Sequence, residues 1–358
     1  MSIEFTSRVK AIPVYPAAAT YAFDGEIVKL ASNETPWGPH AAVLEAVETQ
    51  LRTLNRYPDP TAAKLRGRLA DRHELPAGRV AVGNGSCEIL LAAAEAMLEP
   101  GAEIVYAWPS FSMYPHLAAM TGARAIEVPL DSEGRHDLDA MATEVTAATR
   151  ILIVCNPNNP TATAIPIEEI DAFVGSLPRH VCVILDEAYV EFNMLQDPDE
   201  SLPLLAKHPN LVLLRTFSKI YGLCGLRVGY ALCAEDFRLG VDRVRQPFSV
   251  NALAQAAAAE ALLHQDEVAR RVERTMAERL FMEDELHERG LETTEPQANF
   301  SWVSFGGRDE DEVIDGLARR GVIVRAGKAL GQEGWARVTY GTRQENERFL
   351  AALDEVLA

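Results

Sequence analysis

The sequence predicts an α/β fold: a large domain with a mostly parallel sheet between helices, plus a smaller α+β domain. Two observations carry this expectation. From residue 80 to 233, short apolar runs alternate with helical stretches, the rhythm of strand–helix–strand units. Runs such as RILIVC and VCVILD are apolar at consecutive positions, which suits strands covered on both faces.

Taken in order, VAVG (80–83) leads into SCEILLAAAEAML, and EIVYAW (103–108) into SFSMYPHLAAMTG. ARAIEVPL, RILIVC (150–155), the helical PIEEIDAFVGSL, VCVILD (181–186), LVLLRTF (211–217) and RVGYALC (227–233) follow. Residues 251–290 are rich in Ala, Glu, Arg and Leu and free of Pro, which predicts one or two long connecting helices closed by Gly290. Residues 291–358 then read as a small domain of order β-α-β-β-α: NFSWVSF, DEDEVIDGLARRG, VIVRAG, ARVTYGT and QENERFLAALDEVLA. The acidic run at 309–312 complements the dipole at a helix start. Residues 46–250 make the large domain. Residues 1–45 lack its rhythm and are expected to pack on the small domain and on a partner subunit.

Composition excludes some functions. With 34 basic and 52 acidic residues the formal charge is −18, which disfavours a nucleic-acid or anionic-membrane surface. Five cysteines without Cys-x-x-Cys spacing suit buried thiols in a reducing cytosol. The N-terminus has no apolar core of signal-peptide length, and no run approaches a membrane span. The expectation is a soluble, cytoplasmic protein.

In a parallel α/β sheet, ligands bind beyond the carboxyl ends of the strands, so polar residues following apolar runs are the candidates. Gly83-Asn84-Gly85-Ser86-Cys87-Glu88 stands between a strand and a helix, where backbone N–H groups can hold an anion; a tight turn alone would explain the glycines equally. Asn156-Pro157-Asn158-Asn159-Pro160-Thr161 follows RILIVC, as a ligand loop or a plain turn. Asp186-Glu187-Ala188-Tyr189 follows VCVIL, and Asp186 is either paired in a site or a helix cap. Thr216-Phe217-Ser218-Lys219 follows LVLL, with Lys219 placed 219 − 186 = 33 residues after Asp186, about one strand–crossover–strand unit. Arg227 opens the next strand.

A lysine can hold an aldehyde as an imine and later act as acid and base. An aspartate can keep a pyridine nitrogen protonated. Asn and Tyr can hold a ring oxygen, while Ser, Thr, Arg and a helix start can hold a phosphate. Pyridoxal 5′-phosphate (PLP) requires all of these partners. Gly-x-Gly-x-x-Gly, the nucleotide P-loop and the Gly-x-Ser-x-Gly elbow are all absent, and the eight histidines have no metal-ligand spacing.

These residues resemble the histidinol-phosphate aminotransferases, of the aspartate-aminotransferase (PLP-dependent transferase) fold. The resemblance is carried in order by ASNETPWGP (31–39), NRYPDP (55–60), GNGSCE (83–88), CNPNNPT (155–161), DEAY (186–189), TFSKIYGLCGLRVGY (216–230), RQPFSVN (245–251) and RVTYGT (337–342). It implies that Lys219 bears PLP, that Asp186 pairs with the pyridine nitrogen, and that Asn159 and Tyr189 pair with the ring oxygen. Phe111 would stack on the ring. Ser86, Cys87, Thr216, Ser218 and Arg227 would hold the phosphate, and Tyr57 would reach the phosphate of a partner subunit's cofactor, making a homodimer. Arg337 would clamp the substrate's acidic end, with Arg325 a second anion contact and Asn33 and Tyr21 near the substrate. Cys87, Ala162 and Cys224 depart from the usual Asp, Gly and Ala of the pattern, and Ala162 matters if its loop needs a positive φ.

The implied activity is amino transfer from L-histidinol phosphate to 2-oxoglutarate, giving imidazole-acetol phosphate and glutamate, a step of histidine biosynthesis. An aromatic amino-acid aminotransferase and a PLP decarboxylase of a phosphorylated amino acid would keep nearly every motif. A non-catalytic PLP-binding sensor would carry a basic DNA-binding module, which this acidic chain does not show.

Overall fold

Alternation along the central strands sends side chains to two different cores. In β6 (Cys182–Asp186), Val183 and Leu185 pack into one apolar cluster while Ile184 packs into the other. In β5 (Thr149–Cys155), Leu152 and Val154 take the first side and Ile151 and Ile153 the second. Both faces of these strands are therefore dry, as their unbroken apolar runs require. The computed structural model describes residues 3–6, 9–10, 12 and 25–358; Tyr21 lies outside them.

The large unit is a seven-stranded sheet of order β2-β8-β7-β6-β5-β3-β4, with β2 at Val80–Gly83, β3 at Glu103–Trp108, β4 at Arg124–Pro129, β7 at Leu211–Thr216 and β8 at Gly229–Leu232. In this sheet β8 alone runs against its neighbours. The link from β7 to β8 holds only a 3-10 turn, Cys224–Leu226, and has no crossover helix to carry the chain back to the opposite end. Helices Ala41–Leu51, Ala63–Arg72 and Ala252–Ala261 pack together on one face; Ser86–Met97, Met113–Thr121 and Glu235–Val244 cover the other.

Helix Gln265–Glu288 leads to the small unit, where β11 (Arg325–Ala326), β12 (Trp335–Thr339) and β9 (Phe300–Ser304) form an antiparallel sheet. VIVRAG, read as one strand, is divided. Val322–Ile323 (β10) pairs in parallel with Val28–Lys29 (β1), and Arg325–Ala326 pairs with β12. Helices Glu310–Arg319 and Arg343–Leu357 close the small core around Phe349, Leu317 and Val338. The latter helix is held at its start by a Thr342–Glu345 capping box. Val28 and Leu30 belong to this core as well, so the chain crosses from the small unit to the large one at residues 31–40, past the carboxyl ends of the sheet.

Candidate active site

The strand ends predicted to converge do so. β6 and β7 are parallel neighbours, with Asp186 beside Leu214 and Cys155 beside Asp186. A cleft of about 350 Å³ opens at these ends, and both Asp186 and Lys219 line it.

At the floor, Asp186 is 3% exposed. Its Oδ2 accepts from the Tyr114 hydroxyl at 2.9 Å and its Oδ1 from the Ala188 N–H at 3.3 Å. Burial dominates and pushes its carboxyl up to about 6, with the Tyr114 hydrogen bond opposing. Such a carboxylate is poised for a cationic N–H partner, which would restore the charge that burial disfavours. Phe111 and Ala188 also line the cleft, and Phe111 meets Tyr114 edge-on at 5.7 Å.

Half-buried Lys219 donates from Nζ to the Ser32 carbonyl at 3.0 Å and lies 5.6 Å from the Tyr189 ring centre. Desolvation, then the nearby Arg337 charge, lower its amine to about 8. The Tyr189 hydroxyl accepts from Asn33 Nδ2 at 2.9 Å; burial holds its phenol proton well above the usual range. Asn159 lines the cleft and accepts at Oδ1 from Arg337 at 2.6 Å. Arg337 also donates to the Ala31 carbonyl at 2.5 Å. Residues 31–34 thus form a wall: Ala31 meets Arg337, Ser32 meets Lys219, and Asn33 meets Tyr189.

The remaining side has the form of an anion cradle. Helix Ser86–Met97 begins at the cleft, with Ser86, Cys87, Thr216, Ser218 and Arg227 lining it. Gly85 has φ +76, and a side chain there would place Cβ 2.4 Å from the Arg227 guanidinium. A Cβ on Gly229 would fall 2.4 Å from the Ser86 nitrogen. Only glycine lets the helix start, β8 and Arg227 close on one point. Arg227 is itself at φ +60, a conformation costing about 1 kcal/mol or more for a non-glycine residue; it is held by the Cys224 carbonyl at 2.9 Å and the Ser218 hydroxyl at 3.4 Å. The cleft therefore brings together an amine (Lys219), a carboxylate (Asp186), an amide (Asn159), a phenol (Tyr189) and a helix start beside Arg227, and this set fits PLP.

Other predicted residues stand apart from the cleft lining. Arg325 lies directly opposite Arg337 in the β11–β12 register. Tyr57 is 83% exposed and stacks on Phe248 at 4.7 Å. Ala162 has φ +61, so its loop does take the left-handed backbone with alanine in the place where the pattern has glycine. Sequence reasoning passed over Tyr114, Ser32 and Cys155. The signal for Tyr114 was available: it follows Phe111 by three residues at a helix start, the spacing of one helical face. Cys155 is buried beside Asp186, its thiol pushed up to about 12 chiefly by desolvation. Cys87 is likewise raised by burial and by the Asp186 charge, which makes it an inert lining thiol.

Among the described residues no group of three potential metal ligands occurs, and no helix is long and apolar enough to cross a membrane. Residues 25–353 match the family model described as aminotransferase class I and II. The chain is 43% identical over 332 residues to histidinol-phosphate aminotransferase of Geobacillus thermodenitrificans, covering 93% of this chain and 90% of that protein. It is 40% identical over 357 residues to aromatic amino acid aminotransferase of Cutibacterium acnes, covering 100% and 99%. A crystal structure of histidinol-phosphate aminotransferase from Sinorhizobium meliloti in complex with pyridoxal-5′-phosphate superposes with TM-score 0.90 at 26% identity, over 100% of this chain and 98% of that one.

Proposed function

The chain belongs to the class I and II aminotransferases and is a PLP-dependent aminotransferase; on that premise we propose that its amino donor is L-histidinol phosphate and its acceptor 2-oxoglutarate. When bound, PLP supplies an aldehyde that takes up the amino group and a ring that draws electrons from Cα. Lys219 is the base and acid. With its amine at about 8, roughly one molecule in ten is neutral at pH 7 and able to take the Cα proton. The Ser32 carbonyl accepts from the free amine and orients Nζ. Asp186, held by Tyr114, keeps a proton on the ring nitrogen, and Asn159 and Tyr189 hold the ring oxygen. Arg227, Ser218, Thr216 and the N–H groups of Ser86 and Cys87 bind the phosphate.

The observation that supports the donor assignment is the register that sets Arg325 opposite Arg337 on the small sheet, with Arg337 hydrogen-bonded to Asn159 of the cleft; in this reading the donor's phosphate reaches past the cleft lining to both. A phosphate monoester carries nearly two charges and is matched by two guanidiniums, whereas the carboxylate of an aromatic amino acid is satisfied by one. The aromatic reading is supported in turn by the Cutibacterium relative, which aligns from end to end. Single-turnover amino transfer from L-histidinol phosphate and from L-phenylalanine distinguishes them. The proposal expects histidinol phosphate to be preferred by at least about 100-fold, and Arg325→Gln to lower its kcat/KM by roughly 10- to 100-fold with little effect on phenylalanine. The reverse preference supports the aromatic reading.

The working molecule in this reading is a homodimer. Tyr57, Leu54, Leu51 and Phe248 are all exposed near one another in sequence or by stacking, and a second copy would cover them while Tyr57 reaches its phosphate. Five free thiols suit the reducing cytoplasm.

A further inference from the structure

A second cleft, of about 770 Å³, lies behind the loop that carries Asn159 and shares no lining residue with the first. One wall belongs to the large unit (Trp108, Asp131, Thr161) and the other to the small unit (Glu292, Trp302, Trp335). The two units touch at its ends. Thr294 donates to the Thr161 carbonyl, the Gln297 N–H donates to the Ala162 carbonyl at 2.7 Å, and the Gly331 turn presses on the Trp108 ring.

Three features of this cleft define a ligand. Three of the four tryptophans line it, and Trp302 and Trp335 stack at 5.7 Å. Trp302 is 1% exposed, yet among the described residues its indole Nε1–H has no hydrogen-bond partner, a costly state for a buried donor. The cleft rim carries Asp131, Glu133, Glu292 and Glu295 against one lining cation among the described residues, Arg135, which is already paired with Asp131 and Glu133 at 3.2 Å. Glu292 and Glu295 stand exposed at the mouth.

We propose that this cleft is a second binding site, for a small organic cation that also carries an oxygen acceptor. Indole faces and carboxylates favour the positive charge, and the acceptor satisfies the Trp302 N–H. Trp302 stands opposite Arg337 in the β9–β12 register, and Thr161 is two residues from Asn159. An occupant therefore bridges both units next to two residues of the first cleft. The inference rests on this cleft alone and is independent of the donor assignment.

Choline is a suitable probe, because its quaternary nitrogen forms no imine and so does not react in the first cleft. Titrated into the cofactor-loaded protein, it should change tryptophan fluorescence saturably, with a dissociation constant of about 1–10 mM, as a few weak contacts provide. The neutral isostere 3,3-dimethylbutanol should bind at least roughly fivefold more weakly. Trp302→Phe should weaken choline by roughly five- to tenfold and tetramethylammonium, which has no acceptor and loses only the indole face, by clearly less. The double variant Glu292→Gln, Glu295→Gln should weaken both cations. Absence of a saturable signal, equal binding of the neutral isostere, or unchanged choline binding by Trp302→Phe overturns the proposal. A parallel change in the cofactor's visible absorption also overturns it, since that would put choline in the first cleft. If Trp302→Phe does not fold, the ranking of the three ligands on the unaltered protein decides.

Discussion

Replacing Tyr114 by phenylalanine removes one oxygen and nothing else from the floor of the active site. That oxygen donates to Asp186 Oδ2 at 2.9 Å and is fully buried with it. A hydrogen bond to a charged group contributes about 1.5–3 kcal/mol. Losing it destabilises ionised Asp186 against the protonated form, and at about 1.4 kcal/mol per tenfold the carboxyl moves from about 6 to between about 7 and 8. Only the ionised carboxylate holds a pyridinium, so cofactor affinity falls as pH drops through the carboxyl's titration. The measurement is the apparent PLP dissociation constant of the stripped protein against pH, followed by absorbance. Wild-type affinity should decline below about pH 6, and that of Tyr114→Phe one to two pH values higher, with roughly two- to tenfold weaker binding at pH 7. A variant whose profile coincides with wild type, or whose midpoint moves down, refutes the reasoning.

Attachment of PLP requires the neutral Lys219 amine, lowered to about 8; the loading rate, read by stopped-flow absorbance, should rise about tenfold per pH unit up to 8 and then level, whereas a rise continuing past pH 10 refutes the lowered amine. Arg215 and Glu187 form a buried pair at 2.7 Å beside Thr216 and Asp186. Glu187→Gln leaves the guanidinium in a dry site, so denaturant unfolding should show a loss of about 3–5 kcal/mol; a change under 1 kcal/mol would mean that Asp199 suffices. Ala162→Gly relieves a left-handed alanine costing about 1–2 kcal/mol but adds about 0.5–1 kcal/mol of unfolded-chain entropy, so the melting temperature should hold or rise by a few degrees, and a clear fall would show that the buried Cβ contributes more than the backbone strain costs.

Much of this protein was legible along the chain. Strands buried on both faces announce themselves as unbroken apolar runs, because no position in them faces water. Lys219, Asp186 and Asn159 follow such runs, so their convergence needs only the rule that ligands gather at strand ends; Arg227 precedes its strand and joins them because β8 runs the other way. Tertiary structure decided the rest. The partner that sets Lys219's orientation, the Ser32 carbonyl, is 187 residues away, and the hydroxyl that steadies Asp186 is 72 residues away. No periodicity encodes either contact. The reversal of β8, the division of VIVRAG between two sheets and the tryptophan-lined cleft all depend on which strand finds which neighbour. Local pattern specifies which face of an element is dry; only packing specifies what lies against it.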